Sequence, residues 1–374
     1  MQVHGGNQLD IIEKYNIDKE KIIDFSASIN PWGPPKGTME ALNSSLREVT
    51  HYPDLGARHL KAALSKYLDI PRDNILLGNG SSELIYLLAT GLRPTKTLIV
   101  SPTFSEYEKA IAAQKGKIEH FFLKEQEDFV FHPERVENLQ EGAVIFVCNP
   151  NNPTGMLSSA DKILQLAERA ARSKAYVVID EAFMDFLEDK KGFTLIKEAV
   201  RRENLVVLGS LGKFFSLAGL RLGYLVASSS LVSDISRMQY PWNINSLAQA
   251  AGAAALKDQE FISTSLNLIK QEREFLFREL RAIPDLKPYP SSANFILVKL
   301  SETEHNADDL AEHLAARGIL IRRASSFTGL NKSYFRLAVL DRNSNHIILN
   351  HIREFLQKRG VKLNEQVGSN HQND

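Results

Sequence analysis

The chain has 374 residues, 43% of them hydrophobic and 24% charged, with Lys+Arg and Asp+Glu balanced at 45 each. That length and composition suit a soluble globular protein of one large domain with an appendage, or of two domains. The charge balance offers no surplus for nucleic acid or for an acidic membrane surface.

The opening Met1-Gln2-Val3-His4-Gly5-Gly6 lacks the basic and apolar regions of a signal peptide, and no apolar run reaches the length of a membrane span, so a cytoplasmic protein is expected. Residues 1 to about 50 read as irregular, interrupted by Gly5, Gly6, Pro31, Gly33, Pro34, Pro35 and Gly37, with one short strand at 22–26. Leu60, Ala63, Leu64 and Tyr67 recur at helical spacing. A strand at 75–77 runs into Gly78-Asn79-Gly80-Ser81-Ser82 and then a helix rich in Leu, Ile and Ala. Gly80, Ser81 and Ser82 thus open a helix, where free N–H groups and the helix dipole form an anion site.

Further strands are predicted at 97–100, 117–123, 143–148, 175–179, 205–208 and 222–226, with helices from about Glu106 and over 160–172. Near-continuous Val/Ile/Leu strands separated by helices predict an α/β fold: a mostly parallel sheet with helices on both faces. Ligands of such sheets bind beyond the carboxyl ends of the strands. The only cysteine, Cys148, lies in a buried-strand pattern, so it reads as an inert core thiol and excludes a disulfide or a multi-cysteine metal site. The ten histidines show no ligand spacing such as His-Glu-x-x-His, so no metal is expected.

From Ser246 to about Arg281 the pattern is one long helix ended by Pro284. A smaller α/β unit follows, with strands at 294–298, 319–322 and 334–338 and helices near 307–316 and 343–358. The polar stretch 362–374 is expected to be disordered. The division expected is an amino-terminal arm and part of the small domain over 1–47, a large domain over 48–255 and a small domain over 256–361.

Chemistry concentrates in Ser210-Leu211-Gly212-Lys213-Phe214-Phe215-Ser216-Leu217-Ala218-Gly219-Leu220-Arg221. A lysine among apolar and small residues is partly desolvated, which lowers its pKa and favours the neutral amine of Schiff-base chemistry. Ser210 and Arg221 supply a hydroxyl and a fixed cation, the usual partners of a phosphate. Asn149-Pro150-Asn151-Asn152-Pro153-Thr154-Gly155 is a turn after a strand, with an Asn amide free to donate. Asp180 ends another buried strand, where an acid is costly unless paired; a helix N-cap is the plainer alternative.

This ordered set resembles the pyridoxal 5'-phosphate (PLP) enzymes of fold type I, the aspartate-aminotransferase family. The resemblance implies that Lys213 carries the cofactor, Asp180 faces its pyridine nitrogen and Asn152 donates to its ring oxygen. It implies a phosphate site at Gly80, Ser81, Ser82, Ser210 and Arg221, and a ring-stacking role for Phe104. Tyr52, in His51-Tyr52-Pro53-Asp54, would reach the phosphate from a neighbouring subunit, which implies a homodimer. Arg336, in Tyr334-Phe335-Arg336-Leu337, would bind the substrate carboxylate. Where many relatives carry Tyr, this chain has Phe183, which leaves Asn152 to act on the ring oxygen alone.

Within fold type I the chain is similar to the histidinol-phosphate aminotransferase branch over nearly its full length. The segments His4-Gly5-Gly6-Asn7 and Asp24-Phe25-Ser26-Ala27-Ser28-Ile29-Asn30-Pro31-Trp32-Gly33 look like the opening of threonine-phosphate decarboxylases of cobalamin biosynthesis. Phe104 and Phe183 lean the same way. The implied reaction is decarboxylation of O-phospho-L-threonine to (R)-1-amino-2-propanol O-2-phosphate. His4, Gly5, Gly6, Asn30 and Asn152 would bind substrate, Arg336 its carboxylate, and Arg322 or Arg323 its phosphate. Transamination of histidinol phosphate with 2-oxoglutarate is the alternative. A non-catalytic regulator of the same fold is remote, since the residues before Tyr52 leave no room for a helix-turn-helix domain and no basic surplus is present.

Overall fold

Strands form where short Val/Ile/Leu runs have no face to offer water. The computed structural model describes residues 4–301 and 305–369, with side chains as far as Gln357. A two-residue strand β1 (Ile23–Asp24) precedes the main sheet. That sheet contains β2 (Ile75–Asn79), β3 (Lys96–Ser101), β4 (Ile118–Phe122), β5 (Ala143–Cys148), β6 (Tyr176–Asp180), β7 (Leu205–Ser210) and β8 (Leu222–Val226). Their order is β2-β8-β7-β6-β5-β3-β4, and every pairing is parallel except those of β8 with β2 and β7.

The two-residue period of a strand sorts its side chains into two cores. Val144, Phe146, Val178, Val206 and Leu208 pack under the helices Gly80–Leu92, Glu106–Ala113 and Ser229–Ser236. Ile145, Val147, Ile179 and Val207 pack under Arg58–Leu68, Ala160–Arg172 and Ser246–Ala255. In the helix Ala160–Arg172, Ile163, Leu166, Ala167 and Ala170 form one fully buried stripe, with Asp161, Glu168 and Arg172 on the remaining surface. Burying the larger of these side chains contributes roughly 1.5–3 kcal/mol each.

A second, antiparallel sheet runs β12-β13-β10-β9, from β9 (Leu286–Pro288), β10 (Phe295–Leu300), β12 (Arg322–Arg323) and β13 (Tyr334–Ala338). Its own core joins Phe25, Leu276, Leu310, Phe335 and Ile348. β11 (Ile319–Leu320) pairs in parallel with β1, so the amino-terminal segment is stitched to this unit. The 23-residue helix Gln259–Arg281 spans both units: Ile269 belongs to the large core, Leu276 and Leu280 to the small one.

Four expectations need correction. The long helix 246–281 is two helices, because the Asp258 carboxylate accepts the Phe261 amide (2.9 Å) and caps a new start after Ala255. The strand 319–322 divides into β11 and β12, which pair with β1 and β13 respectively. The amino-terminal fifty residues are not irregular throughout, since Leu9–Tyr15 and Lys36–Ser45 are helical, the latter entered from Pro35. The last helix runs from Arg342 to Ser369 rather than ending at 358; 370–374 lie outside the described residues. Among the described residues no helix is long and apolar enough to cross a membrane.

Candidate active site

Register brings the carboxyl ends of the central strands level. Asp180, the last residue of β6, pairs with Cys148, the last of β5. Ser210 ends β7 opposite Gly223, and Asn79 ends β2 opposite Leu222. The residues that follow these ends face one cavity of about 400 Å³, closed on its other side by the small unit and the amino-terminal arm. That size is typical of a small-molecule site. His4, Gly5, Gly80, Ser81, Ser82, Phe104, Asn152, Asp180, Ser210, Lys213, Arg221, Arg322 and Arg336 all line it.

One end of the cavity is built for an anion. Gly80 starts a 13-residue helix with φ +78°, and a Cβ there would sit 2.5 Å from Nη2 of Arg221. Only glycine therefore lets the guanidinium lie against the helix start. Arg221 itself is in the left-handed region (φ +56°), held by Nη1 donating to the Ala218 carbonyl (3.2 Å). A Cβ on Gly223 would lie 2.3 Å from the Ser81 amide nitrogen, so this glycine lets β8 pack directly under the helix start. The free amides of the first turn, the Ser81 and Ser82 hydroxyls, the Ser210 hydroxyl and the Arg221 cation converge there.

Lys213 sits in a short helix, Leu211–Phe214, at the end of β7. Its Nζ makes no hydrogen bond or ion pair among the described residues. Burial, then the nearby charges of Arg336 and Arg221, depress its pKa to about 8, with Asp180 acting in the opposite sense. Asp180 is buried; burial pushes its carboxyl above the usual range, while the Tyr107 hydroxyl (2.6 Å) and the Ala182 amide (3.0 Å) donate to it and pull it back. Its sequence neighbour Glu181 is spent elsewhere, accepting from the Thr194 hydroxyl (2.6 Å) and the Leu195 amide (2.7 Å).

The small unit contributes two arginines. In the β12–β13 pairing Arg322 stands directly opposite Arg336, and both side chains are buried. Arg336 donates through Nη1 to the Asn152 Oδ1 and through Nη2 to the Ser26 carbonyl (2.9 Å), while its Nε is buried without a partner. That contact takes up the Asn152 oxygen and leaves its NH₂ as a donor. Arg322 donates to Ser326 Oγ (2.7 Å) and stacks on Phe327 (4.9 Å to the ring centroid). Burial lowers Arg322 to about 10; burial, then the Arg322 charge, lowers Arg336 to about 9. Like charges facing each other across a strand pair repel. Such a pair is poised for anions.

Four expected site residues are not brought into the cavity. Strand alternation turns Arg323 away from Arg322, and it meets Glu312 (3.3 Å) and Asp308 (3.9 Å) at the surface. Asn30 is buried, but its amide donates to the Phe214 carbonyl and to Ser265 Oγ (3.0 Å each), and its own backbone amide donates to the Lys213 carbonyl (3.0 Å). It clamps the lysine loop and does not line the cavity. Gly6 stops one residue short, donating its amide to Ser26 Oγ (2.8 Å). Tyr52 is 78% exposed and stacks on Trp242 (4.3 Å) outside this chain's cavity.

Conversely, Ser26, Glu106, Tyr107 and Phe327 were not singled out by sequence. Glu106 lines the cavity and meets His4 (3.0 Å) and Lys109 (2.7 Å). Burial and Lys109 lower the His4 pKa, Glu106 raises it, and Arg322 lowers it further. The only signal for Tyr107 is its position three residues after Phe104.

PLP fits these residues on the chemistry of the donors present. The anion cradle at the Gly80 helix start, an acid with no ion pair among the described residues, an uncommitted amide donor on Asn152 and a lysine with a depressed pKa are its complements. A sequence model of the family described as aminotransferase class I and II matches residues 20–352. The threonine-phosphate decarboxylase of Salmonella typhimurium is 34% identical, over 94% of this chain and 96% of that protein. The histidinol-phosphate aminotransferase of Methanosphaera stadtmanae is 29% identical, over 95% of this chain and 96% of that protein. Among solved structures, the histidinol-phosphate aminotransferase from Clostridium acetobutylicum superposes with a TM-score of 0.82 at 30% identity, covering 89% of this chain and 99% of that one. The chain belongs to the class I and II aminotransferase family, with the aspartate-aminotransferase-like fold and with pyridoxal 5'-phosphate as its cofactor.

Proposed function

We propose that this chain decarboxylates O-phospho-L-threonine to (R)-1-amino-2-propanol O-2-phosphate, a step of cobalamin biosynthesis. The observation that carries the reading is the arginine pair: Arg322 and Arg336, opposite each other and buried on one wall, joined by His4 from the arm. A substrate bearing a carboxylate and a phosphate two carbons apart satisfies both cations. The similarity to the Salmonella decarboxylase supports the same reading.

In this reading the cofactor supplies an electron sink for the pair released when a bond at the substrate Cα breaks. Arg336 grips the carboxylate, and Arg322 with His4 holds the phosphate. Those grips would fix the orientation of the substrate's Cα bonds, and so would select which of them breaks. Asn152 is tied to Arg336, so the carboxylate anchor and the ring-oxygen donor move as one. Lys213, near pKa 8, holds a proton at neutral pH that its Nζ can deliver to Cα after carbon dioxide leaves.

Glu106 favours a second reading, since a carboxylate beside His4 suits the imidazole of histidinol phosphate, and both arginines can grip one phosphate. The purified protein with PLP and O-phospho-L-threonine is expected to release one carbon dioxide per amine formed, with no keto acid added. Absence of release, together with amino transfer from histidinol phosphate to 2-oxoglutarate, overturns decarboxylation in favour of this alternative.

We also propose a homodimer in which Tyr52 crosses to the neighbour's phosphate end. Met39, Leu46, Val49, Tyr52, Leu55, Tyr240 and Trp242 are all more than 40% exposed, which is costly to leave in water if they form one patch. Sedimentation equilibrium at micromolar concentration is expected to give twice the 41.9 kDa chain mass; a monomer there overturns it.

A further inference from the structure

Holding a ring nitrogen requires only the Asp180 carboxylate, and a phenylalanine at position 107 would fill the same space as Tyr107. The tyrosine is nonetheless built in firmly. It is fully buried, its ring is stacked on Phe146 (5.0 Å, 13°), and it meets Phe104 edge-on (5.7 Å, 83°). Its hydroxyl donates to Asp180 Oδ2 at 2.6 Å, while Oδ1 accepts from Ala182. One side chain therefore braces both the aromatic ring that would cover the cofactor face and the acid that would meet its nitrogen.

We infer that Tyr107 is a positioning residue that keeps the Asp180 carboxylate ionised and oriented for the cofactor's ring nitrogen. This rests on the reading of Asp180 as the partner of that nitrogen. The physical reason is local: a buried carboxylate keeps its charge only when donors replace the water it has lost. Tyr107 is one of two direct donors. Burial, then the Asp180 charge, hold its own phenol well above the ordinary value, so it remains a donor throughout the working range. The other ionisable groups facing Asp180 are Lys213, Cys148 and Tyr224. Burial raises the last two, which are neutral near pH 7, and Lys213 acts through its charge alone.

The sign of the pH effect follows. A carboxyl whose pKa is raised on folding contributes stability below its unfolded value, about 3.9, and that stability is lost as pH rises through the folded value. Removing the phenol raises the folded value further, so the loss extends to higher pH.

In the cofactor-free full chain, Tyr107→Phe is expected to lower Tm least at acidic pH, where the Asp180 carboxyl is protonated in both proteins, and by a growing amount as pH rises. Spectroscopic titration with PLP is expected to show about 10- to 100-fold weaker binding, the effect of one hydrogen bond to a charged group. In an Asp180→Ala background the same substitution should change PLP affinity less than about twofold. A pH-independent Tm difference, or an equal penalty in both backgrounds, makes Tyr107 a packing residue and overturns the inference. If wild type and Asp180→Ala bind PLP equally well, the reading of Asp180 itself fails, and the inference with it. None of these measurements depends on which reaction the loaded enzyme performs.

Discussion

Replacing Lys213 by alanine is expected to reduce turnover by about 10⁴-fold, because in the proposed reaction the variant loses both the covalent anchor for the cofactor and the group that delivers a proton to Cα. Borohydride treatment of the PLP-loaded wild-type protein should add the cofactor's mass, less one water and plus two hydrogens, to the peptide containing Lys213, and should add nothing to the corresponding peptide of the variant. The cofactor-free variant should be no less stable at pH 7. Wild-type Lys213 has a folded pKa of about 8, below its unfolded value, so below pH 8 the fold carries a buried cation facing Arg336 and Arg221. Between pH 8 and the ordinary lysine value the unfolded chain binds the extra proton, so wild-type stability gains with rising pH over that window. The variant lacks this gain. The rate at which the cofactor-free wild type captures PLP should rise about tenfold per pH unit below pH 8 and then level off, following the neutral amine. A rise that continues at tenfold per pH unit past about pH 9 without levelling would mean that the lysine is not depressed.

Arg336, Arg322 and Arg323 should separate cleanly. Arg336→Ala is expected to lower kcat/KM for O-phospho-L-threonine by about 10³-fold, since it removes a buried carboxylate partner and also orphans the Asn152 oxygen and the Ser26 carbonyl. Arg322→Ala should cost about 10²-fold, mostly in KM, and should shrink the preference for the phosphorylated amino acid over L-threonine. Arg323→Ala should change either constant less than about threefold, because its guanidinium is committed to surface carboxylates, where an ion pair contributes little. Equal effects at Arg322 and Arg323 would remove the distinction that the strand register makes.

Much of this site was legible in advance because its chemistry is local to strand ends. Asp180, Asn152, Ser210 and Lys213 each follow an apolar run within a few residues, and a parallel sheet gathers all such ends on one edge. Gly80, Ser81 and Ser82 were legible because a helix start carries its own anion site. Asn30 was misread. Its motif position is beside substrate-facing residues, but its amide is turned to Phe214 and Ser265, partners 184 and 235 residues away in the chain. Tyr107 went unseen for the same reason: its importance lies in a contact with Asp180, 73 residues on.

The sequence by itself pointed to the cofactor, because Gly80-Ser81-Ser82, Asn152, Asp180, Ser210, Lys213 and Arg221 stand in an order that resembles the PLP enzymes of fold type I. Only the tertiary structure chose between Arg322 and Arg323. Adjacent residues on a strand point to opposite faces, and which face meets the cavity depends on the register of β12 against β13. That register pairs Arg322 with Arg336 and Arg323 with Phe335, segments separated in the chain, so no pattern within Arg322-Arg323 encodes it.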